Sequence, residues 1–295
     1  MSARPYRLGI SEFTTMPWSF DQDVERYARL GIDAIEVVEA KLDDGRFAEQ
    51  MQSVQDAGLT ISGVQPKVRT FFGSRMTPDP RTLDDRTAAL RRSIERLGRY
   101  APGVPFITNT GAHPRGDMAD AMAVVGKRLG ELARVAVDNG VLLAIEPLNP
   151  SSVNVESAIW TIDQALEVIA RADHAAVGLC LDCWNIWQNA DVAGQIARAG
   201  ARIFTVQASD WRTPRSFADR IVPGAGSLPL ADLIRATRAT GYDRPYVIEI
   251  FSNDVADSLY DCDLEQVVAD CKTGFAAAWA RSMDAGEPAG ADRPA

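Results

Sequence analysis

The sequence predicts a single α/β domain with the architecture of a (β/α)8 barrel. Eight short apolar runs alternate with eight helical patterns along the chain. The apolar runs are rich in Val, Ile and Leu and lack strict alternation, which is typical of parallel strands buried on both faces. A glycine often stands between a helical pattern and the next apolar run, where a left-handed backbone costs glycine little. This repetition of β and α elements favours a closed barrel.

The elements follow one another in a regular order. The predicted strand segments are residues 6–11, 29–39, 56–66, 101–111, 138–149, 174–184, 199–210 and 240–252. The helical patterns are residues 21–30, 44–57, 80–100, 117–139, 156–171, 189–199, 228–240 and 262–281. The expected helix caps are Asp21, Ser157 (or Asn154) and Asp261, and the expected helix-ending glycines are Gly31, Gly58, Gly140, Gly200 and Gly241. We expect the barrel to cover residues 1–283 and a disordered tail rich in Gly, Ala and Pro to cover residues 284–295.

A doubly wound open sheet is the alternative fold. Such a sheet would carry a glycine-rich dinucleotide-binding turn after its first strand. The sequence there reads GISEFTTMPW, which lacks that fingerprint. The barrel is therefore preferred.

Composition limits the partners of this chain. Its 295 residues carry a formal net charge of −9, which argues against nucleic acid as a partner. A small anionic substrate stays compatible, because a bound cation reverses the local sign of charge. No apolar run approaches the roughly 18 residues of a membrane helix, and the first residues show no secretory pattern. We therefore expect a cytoplasmic protein with neither nucleic acid nor membrane as a partner.

Two of the four cysteines form a C-x-x-C pattern. Cys180 and Cys183 lie on a predicted buried strand rather than at the start of a helix, where redox-active pairs usually stand. Packing is therefore preferred to a redox role. In a reducing cytoplasm all four thiols are expected to be free.

Acidic side chains end three of the predicted strands. Active sites of barrels lie at the carboxyl ends of their strands, and Glu146, Asp182 and Glu249 stand there in the fifth, sixth and eighth segments. Three carboxylates on one buried rim repel one another and are costly to bury in charged form. A divalent cation removes this conflict, and Gln207 at the end of the seventh segment adds an amide oxygen. The sequence thus predicts one divalent metal bound by these four residues.

Each of these side chains also has a structural interpretation. Glu146 precedes Pro147 and would simply close a strand, and Asp182 would cap the following helix. Gln207 would be a hydrogen-bonded residue at a strand end. Glu249, within VIEIF, is hard to explain as a core residue.

Five motifs in the chain resemble the xylose isomerase-like TIM barrels. That family includes sugar epimerases and isomerases, inosose dehydratase, 3-dehydroshikimate dehydratase and relatives of apurinic endonucleases. The motifs are LAIEPLNP (143–150), LCLDCWN (179–185), TVQASDW (205–211), DRIVPGAG (219–226) and YVIEIFS (246–252). The resemblance covers most of the chain. It implies metal ligation by Glu146, Asp182 and Glu249, and substrate contact by Arg220.

The chain departs from the family pattern in three places. A histidine usually stands where this chain has Gln207, and glutamine there resembles some dehydroshikimate dehydratases. Asn185 replaces the histidine that commonly follows the metal-binding Asp. The loop that carries an Arg and a Glu in free-ketose epimerases reads Asn149, Pro150, Ser151, Ser152 here, which argues against a simple ketohexose.

Histidine content argues against one branch of the family. The endonuclease relatives hold three zinc ions with many histidine ligands. This chain has only His113 and His174, and His174 lies on the opposite rim of the barrel. Together with the acidic charge balance, this makes DNA repair a poor fit.

The resemblance implies a divalent-metal-dependent isomerase or epimerase that acts on a sugar-like ketone or cyclitol through an enediolate. Glu146 and Glu249 are the implied acid/base pair. A ligand set made of oxygen atoms favours Mn2+ or Mg2+ over Zn2+. Loss of a β-hydroxyl from the same enolate would make the protein a lyase of an oxo-cyclitol, dehydroshikimate-like or 3-keto-sugar substrate. A non-catalytic barrel that serves as a binding subunit is the second alternative.

Rim residues are expected to contact the substrate, a small polyhydroxy carbonyl compound. They are Arg220, His113, Asn185, Lys67, Trp184 and Asn149. Lys67 and Arg220 would bind an anionic group, although Lys67 also fits an exposed surface position and His113 a structural one. Trp184 would belong to an aromatic wall beside a ring. By analogy with relatives, a homodimer or homotetramer is expected.

Overall fold

Eight parallel strands close into a barrel whose strand order follows the chain order. The computed structural model describes residues 4–214 and 216–284. The strands are β1 (Leu8–Ser11), β2 (Ala34–Val38), β3 (Thr60–Gln65), β4 (Pro105–Thr108), β5 (Leu142–Ile145), β6 (Val177–Asp182), β7 (Ile203–Ala208) and β8 (Tyr246–Ile248). The barrel closes because β1 pairs with both β2 and β8. The predicted (β/α)8 architecture is confirmed.

Helices follow the strands and surround the barrel. They are α1 (Phe20–Arg29), α2 (Phe47–Asp56), α3 (Leu83–Leu97), α4 (Met118–Asp138), α5 (Ile162–Ala172), α6 (Cys183–Ile186), α7 (Val192–Ala199), α8 (Leu230–Ala239) and α9 (Leu264–Met283). The single turn α6, directly after β6, was not expected from the sequence. All five glycines expected to end helices have positive φ angles, from 49° at Gly200 to 82° at Gly241. None of the helices in the described residues has the length and apolar character needed to cross a membrane.

The expected helix caps are wrong by two to seven residues. Asp21, Ser157 (or Asn154) and Asp261 do not cap these helices. The caps are Ser19 for α1, Thr161 for α5 and Asp263 for α9. In α1 and α5 the side-chain oxygen of the glutamine three residues after the cap accepts a hydrogen bond from the backbone N–H of the cap residue. This bond completes a reciprocal capping box. Several candidate capping residues lie close together, and only this reciprocal bonding distinguishes them.

Apolar side chains fill the space between the strands and the helices. Leu8, Ile35, Phe106, Leu143 and Ile248 are each fully buried. The four cysteines have free thiols, and Cys180 and Cys183 are buried within this packing. The boundary predicted at residue 283 coincides with the end of α9, and residues 285–295 of the predicted tail lie outside the described part of the chain.

Three loops meet above the carboxyl ends of the strands. The loop after β3 is joined to the loop after β4, since the N–H of Phe72 donates to the carbonyl of Thr110 at 2.9 Å. It is also joined to the loop after β5, since the N–H of Arg75 donates to the carbonyl of Val155 at 3.1 Å. Residues 156–161, predicted as helix, belong to the loop after β5. The three loops therefore cover one side of the rim that carries the acidic residues.

Candidate active site

Three carboxylates from β5, β6 and β8 meet at the carboxyl end of the barrel. Glu146 directly follows β5, Asp182 ends β6 and Glu249 directly follows β8. All three are buried, and each offers an oxygen atom within 4.8 Å of those of the other two. Strand closure brings these ends together because all strands run in the same direction. Three buried carboxylates at this spacing fit a divalent cation with oxygen ligands.

Burial makes these three carboxyl groups weaker acids than usual. Burial, together with the neighbouring charge of Asp182, raises the pKa of Glu146 to about 7. Burial also raises the pKa of Asp182 and holds the pKa of Glu249 well above its usual range. Without a cation, the charged forms of all three are therefore costly at this position.

Arg220 partly balances the acidic cluster. Its Nη2 lies 2.9 Å from Asp182 Oδ2, and its Nη1 lies 2.9 Å from Glu249 Oε2. The guanidinium also lies 4.9 Å from the ring centre of Trp184 and 5.0 Å from that of Phe251. Arg220 was predicted to contact substrate. It does line the pocket, but its charge is already shared between two carboxylates.

Asparagine side chains orient Glu146. Asn185 Nδ2 donates to Glu146 Oε1 at 2.8 Å and to Asp182 Oδ2 at 2.7 Å. Asn109 Nδ2 donates to Glu146 Oε2 at 3.0 Å. Asn149, predicted to contact substrate, instead donates its backbone N–H to Asn185 Oδ1 at 2.9 Å. These bonds fix the Glu146 carboxylate in a direction set by two neighbouring strands.

Asp182 caps the following helix, as one of its sequence interpretations expects, and metal ligation by it stays a prediction. Its Oδ1 accepts the backbone N–H of Trp184 at 3.0 Å, so it caps α6 as well as belonging to the acidic cluster. The cap leaves Oδ2 facing Asn185 and Arg220. The short helix therefore sets the orientation of this carboxylate.

Gln207 lies next to the cluster, paired in register with Asp182 across β6 and β7. Its Nε2 donates to Glu249 Oε1 at 2.9 Å, and its Oε1 accepts the Sγ–H of Cys180 at 3.1 Å. The amide therefore presents its nitrogen to the carboxylates. Metal ligation by Oε1 stays a prediction, and it needs the amide to be turned by half a rotation.

A further buried carboxylate beside the cluster, Glu36 on β2, was not predicted from the sequence. It accepts from Gln207 Nε2 at 3.0 and 3.1 Å and from Gln65 Nε2 at 3.1 Å. The signal was a charged residue inside the apolar run AIEVV. Gln65 also donates to Glu249 Oε1 at 3.1 Å, so the two amides connect Glu36 with the acidic cluster.

A pocket opens above the acidic cluster. Its polar floor includes Glu146, Glu249, Asn109 and Gln65. Its apolar and aromatic wall is formed by Leu148, Trp184, Phe217 and Phe251. The arrangement suits a small molecule with polar groups on one face and carbon atoms on the other.

Three of the six predicted substrate contacts line this pocket: Trp184, Asn185 and Arg220. Lys67 is exposed and lies outside the lining, and its backbone N–H donates to Glu39 Oε2 at 2.8 Å. Asn149 lies behind Asn185. Substrate contact by these two residues remains a prediction that the pocket lining does not favour.

His113 also lies outside the pocket lining. Its Nε2 lies 2.9 Å from Asp120 Oδ2, and its Nδ1 accepts the backbone N–H of Asp117 at 3.0 Å. The imidazole therefore organises the start of α4, in agreement with its structural interpretation.

Two charged residues of the pocket come from loops without a recognisable motif. Arg69 follows β3, and Glu156 lies in the loop after β5. Glu156 accepts from Arg75 Nε at 3.3 Å and from the backbone N–H of Met76 at 3.2 Å. Neither residue stands out in the sequence, because no strand end fixes its position.

The geometry agrees with a comparison of the whole sequence. The sequence profile of xylose isomerase-like TIM barrels matches residues 24–271. The chain belongs to this family. The resemblance based on five motifs is thereby confirmed.

Named relatives of the chain include a lyase and an epimerase. The chain is 29% identical over 248 residues to a 3-dehydroshikimate dehydratase of Pseudomonas aeruginosa, covering 79% of this chain and 36% of that protein. It therefore spans about a third of the length of that relative. It is 28% identical over 259 residues to a D-psicose 3-epimerase of Enterocloster bolteae, covering 81% of this chain and 80% of that protein. Both relatives are enzymes, which supports an enzymatic activity for this chain.

Solved structures share this fold. A crystal structure of a Sinorhizobium meliloti protein superposes with a TM-score of 0.81 at 25% identity, covering 92% of this chain and 98% of the other. The IOLI protein, solved with a bound zinc atom, gives a TM-score of 0.78 at 20% identity, covering 94% and 99%. These superpositions extend the fold assignment over almost the whole chain.

Proposed function

We propose that this barrel is a divalent-metal-dependent isomerase or epimerase that moves a proton on the carbon next to a carbonyl of a polyhydroxylated substrate. The observation that carries the proposal is the position of Glu146 and Glu249. Both line the pocket, both belong to the acidic cluster, and they come from strands β5 and β8. Two carboxyl groups at one carbonyl are what a proton transfer between two faces requires.

The acidic cluster provides the cation site of this proposal. Glu146, Asp182 and Glu249 would hold the ion, with Gln207 as the fourth ligand predicted from sequence. A divalent cation held by these residues would supply Lewis-acid polarisation of the substrate carbonyl. Oxygen donors favour Mn2+ or Mg2+, and zinc, as in the IOLI protein, is the competing ion.

The two glutamates have different partners, which suits separate roles. Asn109 and Asn185 hold Glu146, whereas Gln65 and Arg220 hold Glu249. One carboxylate removes the proton from the α-carbon, and the other carboxyl group returns a proton. Return to the opposite face inverts the carbon, and return to the neighbouring carbon moves the carbonyl. Each carboxyl group is expected to contribute about 10²–10⁴-fold to the rate.

Incubation in D2O tests the proposal. The Mn2+-loaded protein is incubated with free ketoses and with cyclitol ketones, and products are analysed by NMR and mass spectrometry. We expect solvent deuterium on the α-carbon of a product with unchanged constitution. Glu146→Gln and Glu249→Gln are each expected to abolish incorporation. Glu95→Gln, an exposed change on α3, is the matched control and should leave it unchanged.

A dehydratase is the second candidate. The aromatic and apolar wall of the pocket and the 29% identity to a 3-dehydroshikimate dehydratase favour it. Elimination of water from a cyclic oxo compound would give an enone or aromatic absorbance and a product lighter by one water. The same incubation therefore distinguishes a lyase from an isomerase.

A metal assay tests the basis of both candidates. The parent protein, purified without chelators, is expected to bind one divalent ion per chain. The double variant Glu146→Gln/Glu249→Gln is expected to lose that ion. If the double variant binds the ion as tightly as the parent, the proposed ligand set is wrong. If the parent protein binds a small molecule but no divalent ion, the result would instead favour a non-catalytic binding subunit.

A further inference from the structure

The pocket contains a guanidinium group that forms no direct ion pair with any described carboxylate. Of the two arginines that line the pocket, Arg220 is paired with Asp182 and Glu249. Arg69 has no ion pair and no side-chain hydrogen bond within residues 4–214 and 216–284. Its guanidinium lies 5.1 Å from the ring centre of Phe13, and its charge interacts with the Glu146 carboxyl group without a direct bond. A half-buried cation in this position is available to a ligand.

The backbone of Arg69 is held beside the acidic cluster. Its carbonyl accepts the N–H of Asn109 at 2.9 Å, and the side chain of the same Asn109 donates to Glu146. The next residue, Thr70, forms a parallel bridge with Asn109 and accepts on its carbonyl from Arg86 Nε at 2.9 Å. The position of Arg69 relative to Glu146 is thus set by a short chain of hydrogen bonds, not by a free loop.

A pair of phenyl rings separates the two arginines. The rings of Phe13 and Phe251 lie 4.7 Å apart, with Arg69 against the first ring and Arg220 against the second. Aromatic contacts of this kind hold a guanidinium plane without using its N–H donors. The donors of Arg69 therefore stay available, whereas both terminal nitrogens of Arg220 are paired with carboxylates.

The ion pairs of the pocket indicate the sign of the group that Arg69 would bind. The three carboxylates of the cluster are balanced by Arg220 together with a divalent cation. Glu156, the other acidic residue of the lining, is paired with Arg75. Glu36 lies outside the lining and accepts amide donors from Gln65 and Gln207. Arg69 is thus a charged group of the lining whose N–H donors have no partner among the described residues, and a negatively charged group of the substrate would supply one.

We propose that Arg69 is the anion-binding residue of this pocket and that the substrate carries a carboxylate in addition to its reactive carbonyl. This inference rests on the proposed function, since it names the substrate class for the same site. The planar fork of arginine matches a carboxylate with two parallel hydrogen bonds, which a neutral ketose cannot supply. The sequence predicted that Lys67 binds an anionic group of the substrate, and we assign this binding to Arg69 instead.

A matched pair of ligands tests the inference by binding alone. Quinate is a polyhydroxylated ring with a carboxylate, and its carboxamide has nearly the same shape without the charge. Isothermal titration of the Mn2+-loaded protein is expected to show at least tenfold tighter binding of quinate. Arg69→Gln is expected to remove this preference, and Arg69→Lys to keep part of it. Arg134→Gln removes the same charge from an exposed site on α4 and should leave the preference intact.

Three results would overturn the inference. The parent would bind quinate and its carboxamide equally, or the folded parent would not bind quinate at millimolar concentration. In the third case, the preference for quinate over the carboxamide would survive in Arg69→Gln. The last result, combined with loss of the preference in Glu146→Gln/Glu249→Gln, would mean that the carboxylate binds the metal instead. Failure of the proposed function looks different. A preference that depends on Arg69, without deuterium incorporation or loss of water from any substrate, would contradict the reaction and leave the anion subsite standing.

Discussion

The side-chain amide of Gln207 lies against the carboxylate of Glu36, with Nε2 3.0 Å from Oε1 and 3.1 Å from Oε2. The same nitrogen donates to Glu249. Glu36 therefore stabilises the amide orientation in which the nitrogen faces the acidic cluster. The predicted role of Gln207 as a metal ligand requires the opposite orientation of the amide. Substitutions can therefore distinguish a hydrogen-bond donor to the carboxylates from a metal ligand.

Gln207→Glu and Gln207→Leu test that role. If the amide oxygen is a ligand, a carboxylate oxygen can replace it, so Gln207→Glu should bind Mn2+ at least as tightly as the parent. Gln207→Leu should weaken binding by about 10–100-fold. Titration calorimetry at fixed pH measures both. Binding by Gln207→Leu that equals the parent would show that Gln207 is not a ligand.

The metal-free protein should respond to Gln207→Glu in the opposite direction. The substitution removes three hydrogen bonds donated to Glu36 and Glu249 and adds a carboxylate beside them. We expect a clearly lower melting temperature in EDTA, recovered by added Mn2+. Gln55→Glu, an exposed change on α2, is the control and should shift neither value.

Asn185→Leu should weaken metal binding without contacting the ion directly. Asn185 donates to both Glu146 and Asp182, and its loss frees both carboxylates to reorient. Changes of this kind typically cost about 10–100-fold in metal affinity. The dissociation constant for Mn2+ is the measurement, with exposed Asn253→Leu as control. An unchanged constant would mean that the strands alone orient the carboxylates.

Stability should depend on pH in a direction set by Glu146. Burial raises its pKa from 4.5 to about 7, so the folded metal-free protein holds this proton more tightly than the unfolded chain. The stability contributed by the protonated form is complete at low pH. It is lost as the pH rises through this window. A divalent ion needs the deprotonated carboxylate and should cancel the loss.

Melting temperatures between pH 4.5 and pH 7 check this expectation. The difference between the parent and Glu146→Gln isolates the contribution of Glu146 from those of other carboxylates. In EDTA, the parent should lose stability relative to the variant as the pH rises. A parallel pH dependence of the two proteins would contradict the assignment.

Lys41→Met should destabilise the fold at a position away from the pocket. Lys41 Nζ pairs with Asp23 and lies 3.6 Å from Glu12 Oε1, and both acidic side chains are fully buried. Removal of one partner from such a buried group typically costs about 3–5 kcal/mol of unfolding free energy. Urea unfolding measures it. Exposed Lys127→Met is the control, and the triple variant with Glu12→Gln and Asp23→Asn should recover part of the loss.

The sequence predicted the fold and the acidic cluster for the same reason. In a closed parallel barrel every strand ends on one rim, so the ends of three strands suffice to bring Glu146, Asp182 and Glu249 together. Knowledge of loop structure was not needed. The same reasoning placed Gln207 correctly beside the cluster, although it could not give the orientation of its amide.

Glu36 escaped prediction because its strand is buried on both faces. Where apolar residues do not alternate with polar ones, the run AIEVV does not reveal which side chains point into the barrel. Arg69 escaped for a different reason. Its position depends on contacts with residues distant in sequence. Examples are the hydrogen bond from the N–H of Asn109 and the hydrogen bond from Arg86 to the carbonyl of Thr70. No local pattern in the sequence encodes them.

The loops that carry Arg69 and Glu156 are joined to each other by backbone and side-chain bonds, whereas the acidic cluster projects from the strands. Evolution can therefore replace the two loops as one unit and leave the carboxylates in place. Selection for a new substrate and selection for the proton chemistry would then act on separate parts of the chain. Relatives named for a dehydration and for an epimerisation, on one barrel, accord with such independent divergence.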